Sequence, residues 1–437
     1  MTVPVIVGSA ATRLQDCLLR LNDPNLQGAT VFAQVFEDEA LLAAAAADSR
    51  AERGSSLGPL DGQVVSVKNL FDVAGQVTTP GSAILRGRPV ARQDAVVVAR
   101  LRAAGAVILG KTHMTEFAFS GIGLNPHDGN PGNPRDRSRI PGGSSSGAVI
   151  SVVDDMAEIG IGSDTGGSLR IPAALCGAVG FKPTAGRIPT DGVFPLSTTL
   201  DVVGPIARSV AACAMADAVL SATGVEPLEP IDKTSLVLTI PRGRLFDKIE
   251  TPVAMAFDRA VEKLRLAGFG IRDGALDREL DQLAELDAIG SFTAVELLAR
   301  LKEEGIDDLS GVDPKIRARI EAGRQVLAAD YVRMTKRRAK LVKSMDQRLE
   351  SGEILLLPTV PLLAPDISRL VEDEVEFHRI NGLLLRNTRV ANLFDLPAIS
   401  LPVPGAPLPV GLMLMGRRLA DRRLLSVAGA VEPIIAD

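Results

Sequence analysis

Short apolar runs alternate along the chain with longer segments whose apolar residues recur at helical spacing. QVVSVK, residues 63–68, is a brief apolar run closed by a lysine and predicts a buried strand. The stretch DAVVVARLRAA at 94–104 predicts a helix, and Ala106–Leu109 the strand after it. An Ala-rich stretch at 35–50 predicts an earlier helix. From Gly121 to Gly147 the chain is rich in Gly, Asn, Pro and Ser, which predicts a long ordered loop, a kind that is often functional in a compact protein. A helix is expected from near Gly147, a strand at Ile159–Gly162, and another helix after Ser168. Residues 224–233 read as a connector, 235–240 as a strand and 252–350 as mostly helix. ILLLPTVPLLAP then reads as a buried strand ended by prolines, followed by strands at 398–404 and 410–415 and a terminal helix at 421–431.

This alternation indicates an α/β chain. No internal repeat is evident. The expected organisation is a single domain over 1–437, with a helical N-terminal segment at about 1–60 and a helical elaboration at about 252–350.

Composition narrows the function classes. A chain of 437 residues with 46% hydrophobic and 23% charged residues can bury a substantial core and does not read as disordered. Its net charge of −5 disfavours direct nucleic-acid binding. Trp is absent and Tyr occurs once, so few rings are on hand to stack on bases or sugars. Only His113, His127 and His378 are present, and Cys17, Cys176 and Cys213 show no CxxC spacing, so neither a disulfide scaffold nor a structural zinc is expected; no metal and no cofactor enter the expected function. MTVPVIVGSA lacks the basic start and long apolar core of a signal peptide, and no apolar run reaches membrane-spanning length. A cytoplasmic protein without membrane contact is expected. The basic run Arg333, Lys336, Arg337, Arg338, Lys340 and Lys343 reads as a solvated helix face.

Two formal motif matches fail on context. Gly105–Thr112 fits GxxxxGK[ST], but its intervening Ala, Val, Ile and Leu belong in a buried strand rather than in a loop wrapped round phosphates. Gly143–Gly147 fits GxSxG, but the polar loop PRDRSRIPGG precedes it instead of a strand, and the only downstream histidine is His378.

Two glycine–serine clusters remain, PGGSSSG at 141–147 and GSDTGGSLRIP at 162–172, with a short helix and strand between them. That spacing can fold both into one crevice, where Lys68 at the end of its strand can reach them. With VVSVKN, PGGSSSG and GSDTGGSLRIPAALCGAVGFKPT together, the chain resembles the amidase signature family. AGAVILGKTHMTEF, LDVVGPIARS, FDLPAISLPVP and PVGLMLMG add to the likeness, which is strong over about 60–220 and thinner over 350–416.

The resemblance implies the amidase signature fold, a large mixed β-sheet core covered by helices on both faces, and a Ser-cisSer-Lys amidohydrolase: Ser168 as nucleophile, Ser144 as the bridging serine after a cis peptide, and Lys68 as base. An ordinary lysine, with pKa near 10.4, is no base at neutral pH, so burial must favour its neutral amine. The backbone N–H groups of Thr165, Gly166, Gly167 and Ser168 are expected to hold the oxyanion, with Ser145, Asp164 and Arg170 as positioning residues. Candidate pocket walls are Asn125, His127 and Asp128 in the 120–135 loop, and Arg386, Asn387, Arg389 and Asn392 near 378–397. Their polarity suits a small polar or carboxylated amide. GLNPHDGNPGNPRD and VKNLFDVAG resemble the small-amide and biuret-type hydrolases of the family, and the resemblance also suggests a homodimer. An alternative is the glutamine-hydrolysing amidase subunit of a tRNA-dependent amidotransferase. An inert interaction protein on the same scaffold is a third reading, disfavoured by the intact serine–serine–lysine set.

Overall fold

The computed structural model describes residues 8–233 and 236–436. Eleven strands form one mixed sheet: β1 (Phe32–Val35), β2 (Val64–Lys68), β3 (Val107–Thr112), β4 (Ile159–Asp164), β5 (Val179–Lys182), β6 (Val202–Ala207), β7 (Val237–Arg242), β8 (Gly270–Ala275), β9 (Ile354–Pro358), β10 (Ala398–Val403) and β11 (Val410–Met415). Their spatial order is β1-β3-β2-β4-β6-β5-β10-β11-β9-β7-β8. β2 lies parallel to both β3 and β4, whereas the sheet from β4 to β9 runs antiparallel. All five residues of β2 and all six of β3, β4, β6 and β11 are buried, as expected of strands with helices on both faces.

The β2–β4 neighbourhood positions the two clusters. Val67 pairs with Ile161, so the chain leaves both strands at the same sheet edge, with Lys68 near Ser163. The β3 strand occupies the formal phosphate-loop match. Its Lys111 amine donates to Val77 O at 3.0 Å and lies 2.9 Å from Thr78 Oγ1, holding a neighbouring loop rather than facing an open cradle.

The helices at Ser146–Val153 and Arg170–Cys176 follow the two serine clusters, and every residue of the second is buried. Gly177, in the left-handed conformation at φ 81°, ends that helix and turns the chain into β5. A 20-residue helix, Glu374–Leu393, begins at Asp373, whose side chain accepts the N–H of Glu376. Its buried residues Thr388 and Asn392 hydrogen-bond to the second serine cluster.

Two expectations need correction. The N-terminal segment is not wholly helical, because β1 lies between the helices Gly28–Val31 and Glu37–Glu52 and pairs antiparallel with β3. The stretch 252–350 contains β8, which pairs parallel to β7 at the sheet's edge. GIRDGA shows no apolar alternation because an edge strand half open to water needs none. The strand expected at 235–240 begins at Val237, and Ser235 lies outside the described residues. The basic run lies on the helix Ala328–Arg348, which buries only Met334, Leu341 and Met345. Among the described residues no helix is long and apolar enough to cross a membrane.

Candidate active site

Lys68 is fully buried, with its Nζ 2.8 Å from Ser144 Oγ and 2.9 Å from Ser163 Oγ. Burial drives the pKa of its amine down to about 7, against the opposing pull of the Asp201 and Asp164 charges. The peptide between Gly143 and Ser144 is cis. Ser145 N–H donates to Ser168 O at 3.4 Å, which joins the two serine clusters directly. Gly162 permits this approach, since a Cβ there would stand 2.6 Å from Ser145 Oγ.

The loop between β4 and the next helix is held from three sides. Asp164 and Arg170 form a wholly buried ion pair at 2.8 Å, completed by Asn392 Nδ2 donating to Asp164 Oδ1 at 2.9 Å. Arg170 also donates to Thr388 O at 2.7 Å. The Arg170 charge holds the Asp164 carboxyl below its usual range despite burial. Thr388 Oγ1 donates to Gly166 O at 2.6 Å. Gly167 adopts φ 144°, and a Cβ there would stand 2.2 Å from Thr388 Oγ1, so this position needs glycine on both counts. Thr165 Oγ1 donates to Asp201 at 2.5 Å, and Asp201 also accepts the N–H groups of Leu196 and Ser197. Burial raises the pKa of the Asp201 carboxyl to about 6.

A cavity of about 410 Å³ opens above this loop. Thr165, Gly166, Ser168 and Asn392 form its floor, with Phe119, Ser120, Phe292 and Leu385 among its walls. Its charged residues are Arg319, Arg389 and Asp287. Arg389 pairs with Asp287 at 2.5 Å, which leaves Arg319 as the uncompensated charge. Arg319 is half-buried, its Cζ 4.4 Å from the centroid of the Phe119 ring, and among the described residues it has no carboxylate partner. Burial and the Arg389 charge lower the pKa of its guanidinium to about 10, so it stays cationic at neutral pH.

The structure divides the expected pocket residues. Lys68, Ser144, Ser145, Asp164, Thr165, Gly166, Gly167, Ser168 and Arg170 come together as expected. Asn392 reaches the cavity and Arg389 lines its outer side. Asn125, His127 and Asp128 do not line it. Asn125 is fully buried and donates to Gly81 O and Met114 O, His127 Nε2 lies 3.2 Å from Glu116 Oε1, and Asp128 pairs with Arg86 at 2.8 Å. Asn387 points the other way and donates to Pro358 O at 2.8 Å. Arg386 donates to Leu245 O at 2.7 Å and lines an adjoining chamber instead. Polar loop residues close rings of local hydrogen bonds before they serve a ligand, and sequence cannot tell the two uses apart.

Sequence reasoning missed Ser163, Asp201, Thr388 and Arg319. Ser163 and Asp201 stand inside GSDTGGS and LDVVGP, so their signal was present without a role. Arg319 had none, being one arginine on a charged helix. The histidines are structural or peripheral. His113 is buried between Ser146 Oγ and Gly129 O, and burial holds its pKa down to about 4, hence neutral.

The family model for amidases matches residues 24–425. This chain belongs to the amidase signature family, the hydrolases of Ser-cisSer-Lys type. A 2-amino-5-chloromuconic acid deaminase of Comamonas testosteroni is 36% identical to it, over 90% of this chain and 86% of the relative. A glutamyl-tRNA(Gln) amidotransferase subunit of Chloroflexus aurantiacus is 34% identical, over 97% and 93%. A solved amidase superposes with a TM-score of 0.86 at 29% identity, covering 98% of this chain and 96% of its own.

Proposed function

We propose that this chain hydrolyses a small carboxamide bearing an anionic group, through an acyl-enzyme on Ser168. The observation that carries this is the buried Lys68 amine, its pKa pushed down to about 7, set 2.8 Å from Ser144 Oγ beneath a cavity that Ser168 lines. Neutral Lys68 takes a proton from Ser144 Oγ as Ser144 takes one from Ser168 Oγ. Ser168 Oγ bonds to the carbonyl carbon, and the charge that develops on oxygen meets the N–H groups of Thr165, Gly166, Gly167 and Ser168. The relay returns the proton to the nitrogen as the C–N bond breaks, releasing ammonia or an amine. Water then attacks the ester by the same relay, and the acid leaves. Arg319 supports an anionic substituent, because a half-buried cation without an acid partner gains most from a carboxylate.

Within that chemistry, the relatives favour a glutamine-hydrolysing component of an amidotransferase over a free-standing small-amide hydrolase. Proteins named as subunits of glutamyl-tRNA(Gln) amidotransferase recur at 33–34% identity and cover 92–98% of this chain. Glutamine also carries the carboxylate that Arg319 suits. The relative named for 2-amino-5-chloromuconic acid keeps the free-standing reading in play, with an acid as substrate.

One assay separates these readings. The chain purified without partners is screened for ammonia release from glutamine, malonamate, biuret-type compounds, aliphatic amides and aryl amides, with Ser168→Ala as control. Glutamine turnover that depends on added partner chains supports the amidotransferase reading. Strong turnover of other small amides by the isolated chain supports the free-standing hydrolase. Turnover of no amide, or equal turnover by the control, sinks the serine mechanism.

A further inference from the structure

A second chamber of about 500 Å³ adjoins the catalytic cavity and shares with it Asp287, Arg319, Leu385, Arg389 and Leu393. Its own lining adds Arg244, Arg386 and His378. Four arginines therefore face it against a single carboxylate, Asp287, which is already paired with Arg389.

These arginines are not equally satisfied. Arg244 has acid partners in Asp277 and Asp281, which lie outside the lining. Arg386 has none among the described residues. It is fixed in place by the main-chain carbonyls of Leu245 and Asp247 and by Asn387 Oδ1. Three neutral acceptors orient a guanidinium without cancelling its charge, and its five N–H groups exceed those three bonds. Arg319, shared by both chambers, also lacks an acid partner. Partly buried cations without acid partners, Arg319 on the wall shared by both cavities and Arg386 in the second, form a site built for an anion. The apolar side of the same chamber, with Leu280, Leu283, Leu385 and Val390, suits a hydrocarbon chain between the reacting amide and that anion.

We infer, resting on the free-standing form of the amide-hydrolase reading, that the second chamber is a distal anion subsite. It receives a carboxylate at the far end of an extended amide substrate, with Arg386 and Arg319 as its cationic contacts. The preferred substrates are then half-amides of longer dicarboxylic acids, with the amide carbon at Ser168 and the free carboxylate in the arginine-lined chamber.

The test is equilibrium binding to the full chain carrying Ser168→Ala, so that the ligand is not consumed. Half-amides from malonamate up to suberamate are titrated calorimetrically beside neutral amides of matched length. Affinity for the half-amides should rise with length and exceed that of the neutral partners by about tenfold or more at the long end. Adding Ala284→Glu places a like charge in the chamber at an exposed helix position, which preserves the fold. It should remove that length-dependent gain and favour amides ending in an amine. Arg386→Gln should remove the gain without the reversal. Equal affinity for charged and neutral long amides, or a gain that survives Ala284→Glu, overturns the subsite. So does an absence of half-amide binding. Turnover by the wild-type chain judges the hydrolase reading separately.

Discussion

Arg319 stacks over Phe119, its guanidinium carbon 4.4 Å from the ring centroid. The two residues come from distant parts of the chain, and one buried carboxylate joins their supports. Glu116 stands three residues before Phe119 and accepts the N–H of Asp313 at 2.8 Å, at the start of the helix Pro314–Glu321 that carries Arg319. The same carboxylate accepts from Ser82 Oγ at 2.5 Å and lies 3.2 Å from His127 Nε2. The helical elaboration is thus clasped to the catalytic part of the fold at the point where its arginine enters the cavity.

Replacing the arginine tests its contact with substrate. Arg319→Gln should raise KM for carboxylated amides by about ten- to a hundredfold, the worth of a charge-assisted hydrogen bond, and leave neutral amides nearly unchanged. Arg319→Lys should recover part of the loss, because it restores charge without the planar fork. Steady-state kinetics on one charged and one neutral amide checks this. An equal effect on both amides would contradict a direct contact.

Glu116→Gln tests the clasp. The amide keeps one acceptor oxygen and loses the other, so the Asp313 N–H or Ser82 Oγ goes unpaired, at a cost of about 1–3 kcal/mol. Thermal melting should show that loss. KM for carboxylated amides should rise more than kcat falls, since Arg319 is displaced while the serines are not. A fall confined to kcat would place Glu116 in the chemistry instead.

Lys68 sets the pH dependence. With its pKa at about 7 in the folded chain, the neutral amine accumulates as pH rises, so kcat/KM should climb through a limb near pH 7 and then level. The stability sign follows from the same shift. Between about 7 and the ordinary 10.5, the unfolded chain binds the proton more tightly, so this group makes stability increase with pH across that window. Lys68→Ala and Ser168→Ala should nearly abolish turnover while leaving the fold largely intact, and Lys68→Met should also flatten that rise. Stability is read by denaturant titration at several pH values.

The ion pair beneath the loop is structural. Asp164→Asn leaves the Arg170 charge buried without its partner, and such losses cost about 3–5 kcal/mol. Melting should fall steeply, and residual activity at low temperature should keep its limb near or modestly below pH 7, because the lost Asp164 charge no longer pulls the Lys68 pKa up. Movement of that limb well away from 7 would show that Asp164 tunes Lys68 more than it holds the loop.

Gly167→Ala tests the shape of the oxyanion strand. The positive φ and the nearby Thr388 Oγ1 both oppose a side chain there. Turnover should drop sharply. Gly167→Ala combined with Thr388→Ala, which removes the crowding Oγ1, recovers little, because the backbone strain persists. Full recovery in the double variant would assign the effect to crowding alone.

Sequence by itself determined the α/β class, most strand positions in the buried sheet, and the serine–serine–lysine set. Each is written locally: apolar runs mark strands, and the glycine–serine clusters have few other uses in that order. It could not show β1 or β8, whose pairing depends on neighbours distant in the chain. It also could not sort the polar residues of the 120–135 loop from those of the cavity, because an asparagine bonded to its own loop and one facing a ligand look alike in one dimension. Tertiary structure decided that Asn125 holds the loop while Arg319 enters the cavity. It also decided the state of Lys68. Three histidines had left open what could act as a base, and only burial among packed neighbours makes a lysine amine available near pH 7.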